Sequence, residues 1–290
     1  MLIYDTKNWF SGIFRFHRAD TFRTLFPMLV FFSLYSWGVI YLEIEYLKLT
    51  TNSHASHITV MHSLLGFALS ILLVFRTNTA YDRWWEGRRL WGQLVNASRN
   101  LALKYHAFLN EKSDLDFFEQ CIPIFSKSLA NHLQKSDIAI GENISEQLRH
   151  EVSKKNHQPL RVAELLFNKT NNLYQNKQLT NEQFLNLNAD LTALMDICGG
   201  CERIKNTPIP YSYSTYIKKF IFIYVATLPF GFAFTLEYLA IPVTAFIFYV
   251  LASLEIIAEE IEDPFGLDTN DLPVDEIAER IKENVEEVFN

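Results

Sequence analysis

The sequence predicts a mainly α-helical membrane protein, with four transmembrane helices and a helical cytoplasmic body. Three observations predict it. Two charge-free runs, 24–42 and 58–75, are each long enough to cross the hydrocarbon of a bilayer, since about 20 helical residues span about 30 Å. The run 220–254 is interrupted only by Glu237, which makes it a tight hairpin of two further spans, 220–236 and 238–254. The intervening polar sequence carries apolar residues at helical spacing, as in Leu115, Phe118, Ile122, Phe125 and Leu129, and shows no sustained alternation.

Composition supports a mixed architecture. Hydrophobic residues make up 49% of the 290 and charged ones 20%, and the mean hydropathy of +0.02 suits spans joined to a polar body. The segments fall at 1–23 (N-terminal, cytoplasmic or interfacial), 24–75 (spans 1 and 2), 76–219 (cytoplasmic helical region), 220–254 (spans 3 and 4) and 255–290 (acidic cytoplasmic end). This last segment has 13 acidic residues against Arg280 and Lys282, a net of −11 in a chain of net −7. Such an acidic end argues against nucleic-acid binding, which needs a basic footprint. No phosphate loop, dinucleotide fingerprint, zinc-protease helix or nucleophile elbow occurs, so the chain is not read as an enzyme.

Residues 1–23 mix Lys7, Arg15, Arg18 and Arg23 with Trp9, Phe10, Ile13, Phe14 and Phe16. That pattern fits an amphipathic segment at the inner surface or a cap on the body, and not a cleaved signal. In span 1, Pro27 stands in the first turns, where a missing N–H matters least. The loop 43–57 has one Lys and two Glu, whereas 76–104 has Arg76, Arg83, Arg88, Arg89, Arg99 and Lys104. The positive-inside rule therefore puts 76–104 in the cytoplasm, and four spans return both termini there. Span 2 runs on without a Pro into the Arg- and Trp-rich stretch that follows, with Trp84, Trp85 and Trp91 among the arginines, a pattern that fits phospholipid headgroups. His62, Gly66 and Ser70 lie four apart on span 2, which suits close packing or a pore wall. His54, His57 and His62 lack the carboxylate or Cys that would complete a metal set.

In the body, Thr180 and Gln183 form a capping box opening a helix on Phe184, Leu187, Leu191, Leu194 and Ile197, and Gly199-Gly200 is expected to end it. Leu160, Ala163, Leu166 and Leu173 mark another helix. The segment 141–159 is polar and expected to be the loosest. The three cysteines, Cys121, Cys198 and Cys201, give no disulfide framework, and the Cys198–Cys201 pair reads as reduced thiols. Thr207-Pro-Ile-Pro-Tyr leads back to the membrane. Pro229 and Gly231 are expected to kink span 3, and Pro242 to stand near the start of span 4. Pro264 and Gly266 break the helix after span 4, and Asp271, Leu272 and Pro273 open a last one with Val274, Ile277, Ala278, Ile281, Val285 and Val288 on its apolar face.

RTNTAYDRWWEGRRLWGQLVNASR (76–99), placed directly after a span, and the distal AEEIEDPFGLDTNDLP (258–273) together resemble the bestrophin family in its bacterial form. The resemblance covers nearly the whole chain. It implies a homopentameric channel in the bacterial inner membrane, surrounded by phospholipid and passing small monovalent ions, with one central pore, an apolar neck on span 2 and a second, cytoplasmic constriction. Matched by motif, the neck falls on Phe67, Ser63 and Thr59, or on Phe67 with Leu64 and Val60 if the register shifts by one. Leu179 is matched to the second constriction. Glu260, Asp263, Asp268 and Asp271 correspond to the family's calcium clasp, although bacterial members need not share calcium gating and no cofactor is otherwise required. Chloride is favoured by the resemblance. A sodium channel on the same fold, drawn by the acidic end, and a membrane-anchored scaffold or sensor without conduction are the alternatives. Arg76, Arg83, Glu86 and Arg88 are expected to form an ionic network joining subunits.

Overall fold

The computed structural model describes residues 21–48, 58–136 and 145–290. Residues 1–20 of the expected interfacial segment 1–23, together with His54, His57 and residues 141–144, lie outside the described residues. The described residues are mainly helical, with no strand among them, and fall in two compact units: the described residues up to Arg83 with 209–262, and 84–208 with 263–290.

The first unit holds the apolar runs. Helix α1 (Thr21–Tyr41) continues into a π-helical turn, Leu42–Tyr46. It starts three residues before the charge-free run, and the Thr21 hydroxyl shares a 2.7 Å hydrogen bond with Ser253. Helix α2 (Ile58–Phe108) enters this unit with its residues up to Arg83. Helix α7 (Tyr211–Leu236) carries Pro229 without breaking. A single 3₁₀ turn, Glu237–Leu239, with Glu237 at a φ of 48°, reverses the chain into α8 (Ala240–Glu262). The core is aromatic and aliphatic: Phe32 is fully buried, its ring 4.6 Å from Phe248 and 5.6 Å from Phe222. The Tyr35 hydroxyl donates to the Ala226 carbonyl at 3.0 Å, joining α1 to α7. Three stretches are long and apolar enough to cross a membrane: Thr21–Tyr46, Val60–Phe108 and Tyr211–Glu262, the last comprising both α7 and α8.

The second unit is a helical body. It takes α2 from Trp84 on, then α3 (Lys112–Gln134), α4 (Glu146–Ser153), α5 (Gln158–Gln175), α6 (Asn181–Asn206) and α9 (Val274–Phe289). Its core follows the helical spacing of the sequence, with Phe118, Ile122, Phe125 and Leu129 of α3 fully buried. Tyr105 stacks on Phe118 and shares a 2.6 Å hydrogen bond with Thr170. The apolar face of α9 is buried at Val274, Ile277, Ala278, Ile281 and Val285. The capping box forms as expected: the Thr180 hydroxyl accepts the Gln183 N–H at 3.3 Å, and Gln183 Oε1 accepts the Thr180 N–H at 2.9 Å.

Helix α6 does not stop at Gly199-Gly200 but runs on to Asn206. A Cβ on Gly200 would lie 3.0 Å from two Leu90 side-chain atoms. That glycine permits a close helix approach instead of a terminating turn. The two long motifs of the sequence meet in this unit. Trp84 donates its indole N–H to the Asn270 carbonyl at 3.1 Å. Gly87 packs so close to Phe265 that an added Cβ would sit 3.0 Å from its ring. Trp91 is fully buried in the body's core, so it is a core anchor and not a headgroup contact.

Candidate functional site

The first half of α2 has two opposite faces. His62, Leu69, Leu73, Arg76 and Ala80 are buried, the largest exposure among them being 5%. At about 100° of turn per residue, the direction opposite that face is taken by Val60, Leu64, Phe67, Ile71 and Val74. All five are exposed, Leu64 and Phe67 most of all, at 69% and 68%. Ser63 is exposed too, on one flank of Phe67, with Leu64 on the other. For Thr59 only the backbone is described. Both registers of the sequence match thus share Phe67 on an outward apolar stripe, which Ile71 and Val74 extend beyond what the motif match picked out.

The buried face shows how this stripe is held. His62 Nε2 meets the Thr227 hydroxyl of α7 at 2.9 Å, and its ring packs edge-on against Tyr224. Gly66 lies beneath Tyr224, whose hydroxyl would be 2.7 Å from an added Cβ. The Ser70 hydroxyl returns to the Gly66 carbonyl at 2.8 Å. His62 and Gly66 are therefore packing residues that bring α2 onto α7, and a hydroxyl that bonds its own helix needs no partner in an apolar setting.

At the end of the apolar run stands a buried ion cluster. The Arg76 guanidinium, 1% exposed, reaches Glu255 Oε1 at 3.4 Å and Glu262 Oε2 at 2.8 Å. The other Glu262 oxygen accepts the Ile209 N–H at 2.6 Å, and Arg83 Nε donates to the Glu262 carbonyl at 2.9 Å. This corrects one expectation: Arg76 is buried on its own chain's carboxylates and does not face headgroups. Glu86 pairs with Arg203 at 2.5 Å, again inside the chain.

Leu179 is 4% exposed and belongs to the core of the body. A side chain packed inside its own subunit cannot narrow a passage between subunits, so this assignment fails. Leu185, on α6, is the apolar residue nearby that is exposed, at 59%.

Of the four carboxylates matched to a calcium clasp, two are engaged through one oxygen each. Asp263 Oδ2 meets Lys205 Nζ at 2.5 Å, and Asp271 Oδ2 accepts the Asp268 N–H at 2.6 Å. Asp268 is exposed. Calcium takes six to eight oxygens, and an ammonium seated on one of its carboxylates opposes it, so these residues do not fit the ion as they stand. The cysteines are buried and free. Burial pushes the Cys198 thiol up to about 12 and raises Cys201 as well, which leaves both protonated and inert.

Residues 1–287 match the family model described as Bacterial/Fungal Bestrophin protein. The chain belongs to the bestrophin family. It is a membrane protein and not an enzyme. Among its relatives, the voltage-dependent anion channel-forming protein alr2987 of Nostoc sp. is 32% identical, the alignment covering 97% of this chain and 92% of that protein. The voltage-dependent anion channel-forming protein YneE of Escherichia coli K12 is 31% identical, with the same coverage of both. A crystal structure of a mutant bacterial bestrophin homologue from Klebsiella pneumoniae superposes with a TM-score of 0.83 at 28% identity, covering 92% of this chain and 100% of that one. A second structure of a Klebsiella pneumoniae homologue gives 0.82 at 28%, over 90% and 97%.

Proposed function

We propose that this bestrophin assembles as a homopentamer in the bacterial inner membrane and forms a channel for small monovalent anions, chloride among them. Each subunit crosses four times, with α1, the first part of α2, α7 and α8, and both termini are cytoplasmic. The observation that carries the reading is the outward stripe of α2, with Phe67 at its centre, directly opposite the face that packs on the rest of the chain. One copy of that stripe cannot enclose a passage, but a closed ring of copies can, because symmetry supplies the other walls. The names of the relatives from Nostoc and Escherichia coli support anions as the permeant species.

Phe67, flanked by Ser63 and Leu64, forms the neck. A ring of apolar side chains holds a narrow passage shut by dewetting, and polar neighbours ease its wetting. Edge-on aromatic rings present their positive rim to a passing anion. Conduction is passive and no step depends on calcium. In planar-bilayer recordings, Phe67→Ala is expected to raise the open fraction or the conductance of protein whose mass in detergent is five subunits. Leu64→Ser should act in the same direction more strongly than Ser63→Ala. Pentamers that never conduct, with or without Phe67, would favour a scaffold.

A further inference from the structure

The body carries a cluster that conduction leaves unused. His132 lies in the last turn of α3, His157 caps the start of α5, and Glu202 sits in α6. Nε2 of His132 and Nε2 of His157 each lie 2.7 Å from the same oxygen, Glu202 Oε1. The two rings stack with centroids 4.5 Å apart. Among the described residues this is the one group of three or more His, Cys, Asp or Glu whose donor atoms lie within 4.8 Å of one another.

We propose that His132, His157 and Glu202 bind a divalent cation of the zinc class, through the two Nε2 atoms and the carboxylate. Two imidazoles and one carboxylate are a set that zinc takes with an open fourth position. Imidazole nitrogen selects for such ions over calcium and magnesium, which prefer oxygen. His132 and Glu202 also line a cavity of about 390 Å³ with Asn131, Ser136 and Asn206, which leaves room for a water as the fourth ligand. Lys205 also lines that cavity, and its ammonium is paired with Asp263 at 2.5 Å.

The adjustment needed is small. Bonds of about 2.0 Å at a tetrahedral centre set neighbouring donors about 3.3 Å apart, so each histidine withdraws roughly half an ångström from Glu202. Both histidine side chains are about one-third exposed, at 32% and 35%, and free to move that far. Three hydrogen bonds change: the two between the Nε2 atoms and Glu202 give way to metal bonds, and the cap of α5 is affected as well. Nδ1 of His157 now accepts the Leu160 N–H at 3.2 Å, which places the ring proton on Nε2. A metal at Nε2 puts that proton on Nδ1, so loading releases the cap of α5. The site therefore ties an ion to the start of one helix and the end of another.

The test is a zinc titration of the tag-free full-length protein in detergent against a chromophoric competitor. One zinc per subunit is expected, unaffected by excess calcium. His132→Gln and Glu202→Gln should each lower the affinity at least about tenfold while eluting at the wild-type volume, and Cys198→Ser should change nothing. Failure of the folded protein to bind zinc, affinity unchanged by both substitutions, or loss of binding in Cys198→Ser would each overturn the assignment.

Discussion

The two units of this chain solve opposite problems. In the body, apolar side chains point inward, and among the described residues only Trp85, Leu103, Leu160, Leu185 and Leu267 are large, apolar and exposed. In the unit of spans the surface itself is apolar, from Phe26 and Leu34 to Ile223 and Phe246, while His62, Glu43, Arg76 and Glu255 are buried. The difference is one of solvent. Water rewards a polar surface, whereas hydrocarbon rewards an apolar one and leaves each polar group to find its partner inside. Exposure therefore carries different information in each. An outward Leu in the body is an exception that asks for a reason. An outward Phe67 is ordinary by itself, and what singles it out is its position opposite a packed face.

The sharpest way to break this contrast is to remove a buried charge from the spans. Arg76→Ala leaves Glu255 and Glu262 without their cation, and an uncompensated buried charge costs about 3–5 kcal/mol. Thermal unfolding in detergent should show the largest loss of any single substitution considered, and wild-type melting would mean that the cluster is ornamental. Next in size is an ordinary core truncation in the body. Leu129 is fully buried, so Leu129→Ala should cost about 2–5 kcal/mol and leave the permeant ion unchanged. Phe67→Ala is its mirror image: the side chain is 68% exposed, so stability should move by no more than about 0.5 kcal/mol while currents change. Equal melting losses for the two would show that Phe67 is packed and not facing a passage.

Smaller effects lie at helix ends and at the surface. Thr180→Ala removes the capping box of α6 and should lower stability by about 1 kcal/mol, read as a shift in the melting midpoint. At Asp275, burial raises the carboxyl, but hydrogen bonds from Lys127 at 2.7 Å and Gln134 at 3.0 Å outweigh it and hold it below the ordinary carboxylate range. A group depressed in the folded state stabilises the fold above its unfolded pKa, and that contribution is lost as pH falls through the folded pKa. Acid melting below about pH 4 should therefore be slightly less steep in Asp275→Asn than in the wild type. Because the group is partly exposed, this is the smallest effect of the set.

The long apolar helices were readable because hydrocarbon forbids stray charge, so 24–42 and 58–75 stand out by what they lack. The capping box at Thr180 and the apolar face of α9 were readable because both are local rules over a few residues. Gly199-Gly200 misled for the same reason: a glycine pair looks like a stop, and only the tertiary approach of Leu90 explains why α6 passes through it. Leu179 could not be placed from spacing, since inward and outward apolar residues look alike without the neighbouring helices. Arg76 was taken for a headgroup contact because its two partners stand 179 and 186 positions away in sequence. Nothing local marks His132, His157 and Glu202 as neighbours either, and the fold alone brings them together.

The sign of the permeant ion is the most direct test of an anion channel. The purified protein should be placed in a planar bilayer under a gradient of NaCl, and then of a chloride salt with a bulky organic cation. Reversal near the chloride potential in both is the expected result. Reversal near the sodium potential, with the current lost in the bulky-cation salt, would contradict it and make this bestrophin a cation channel.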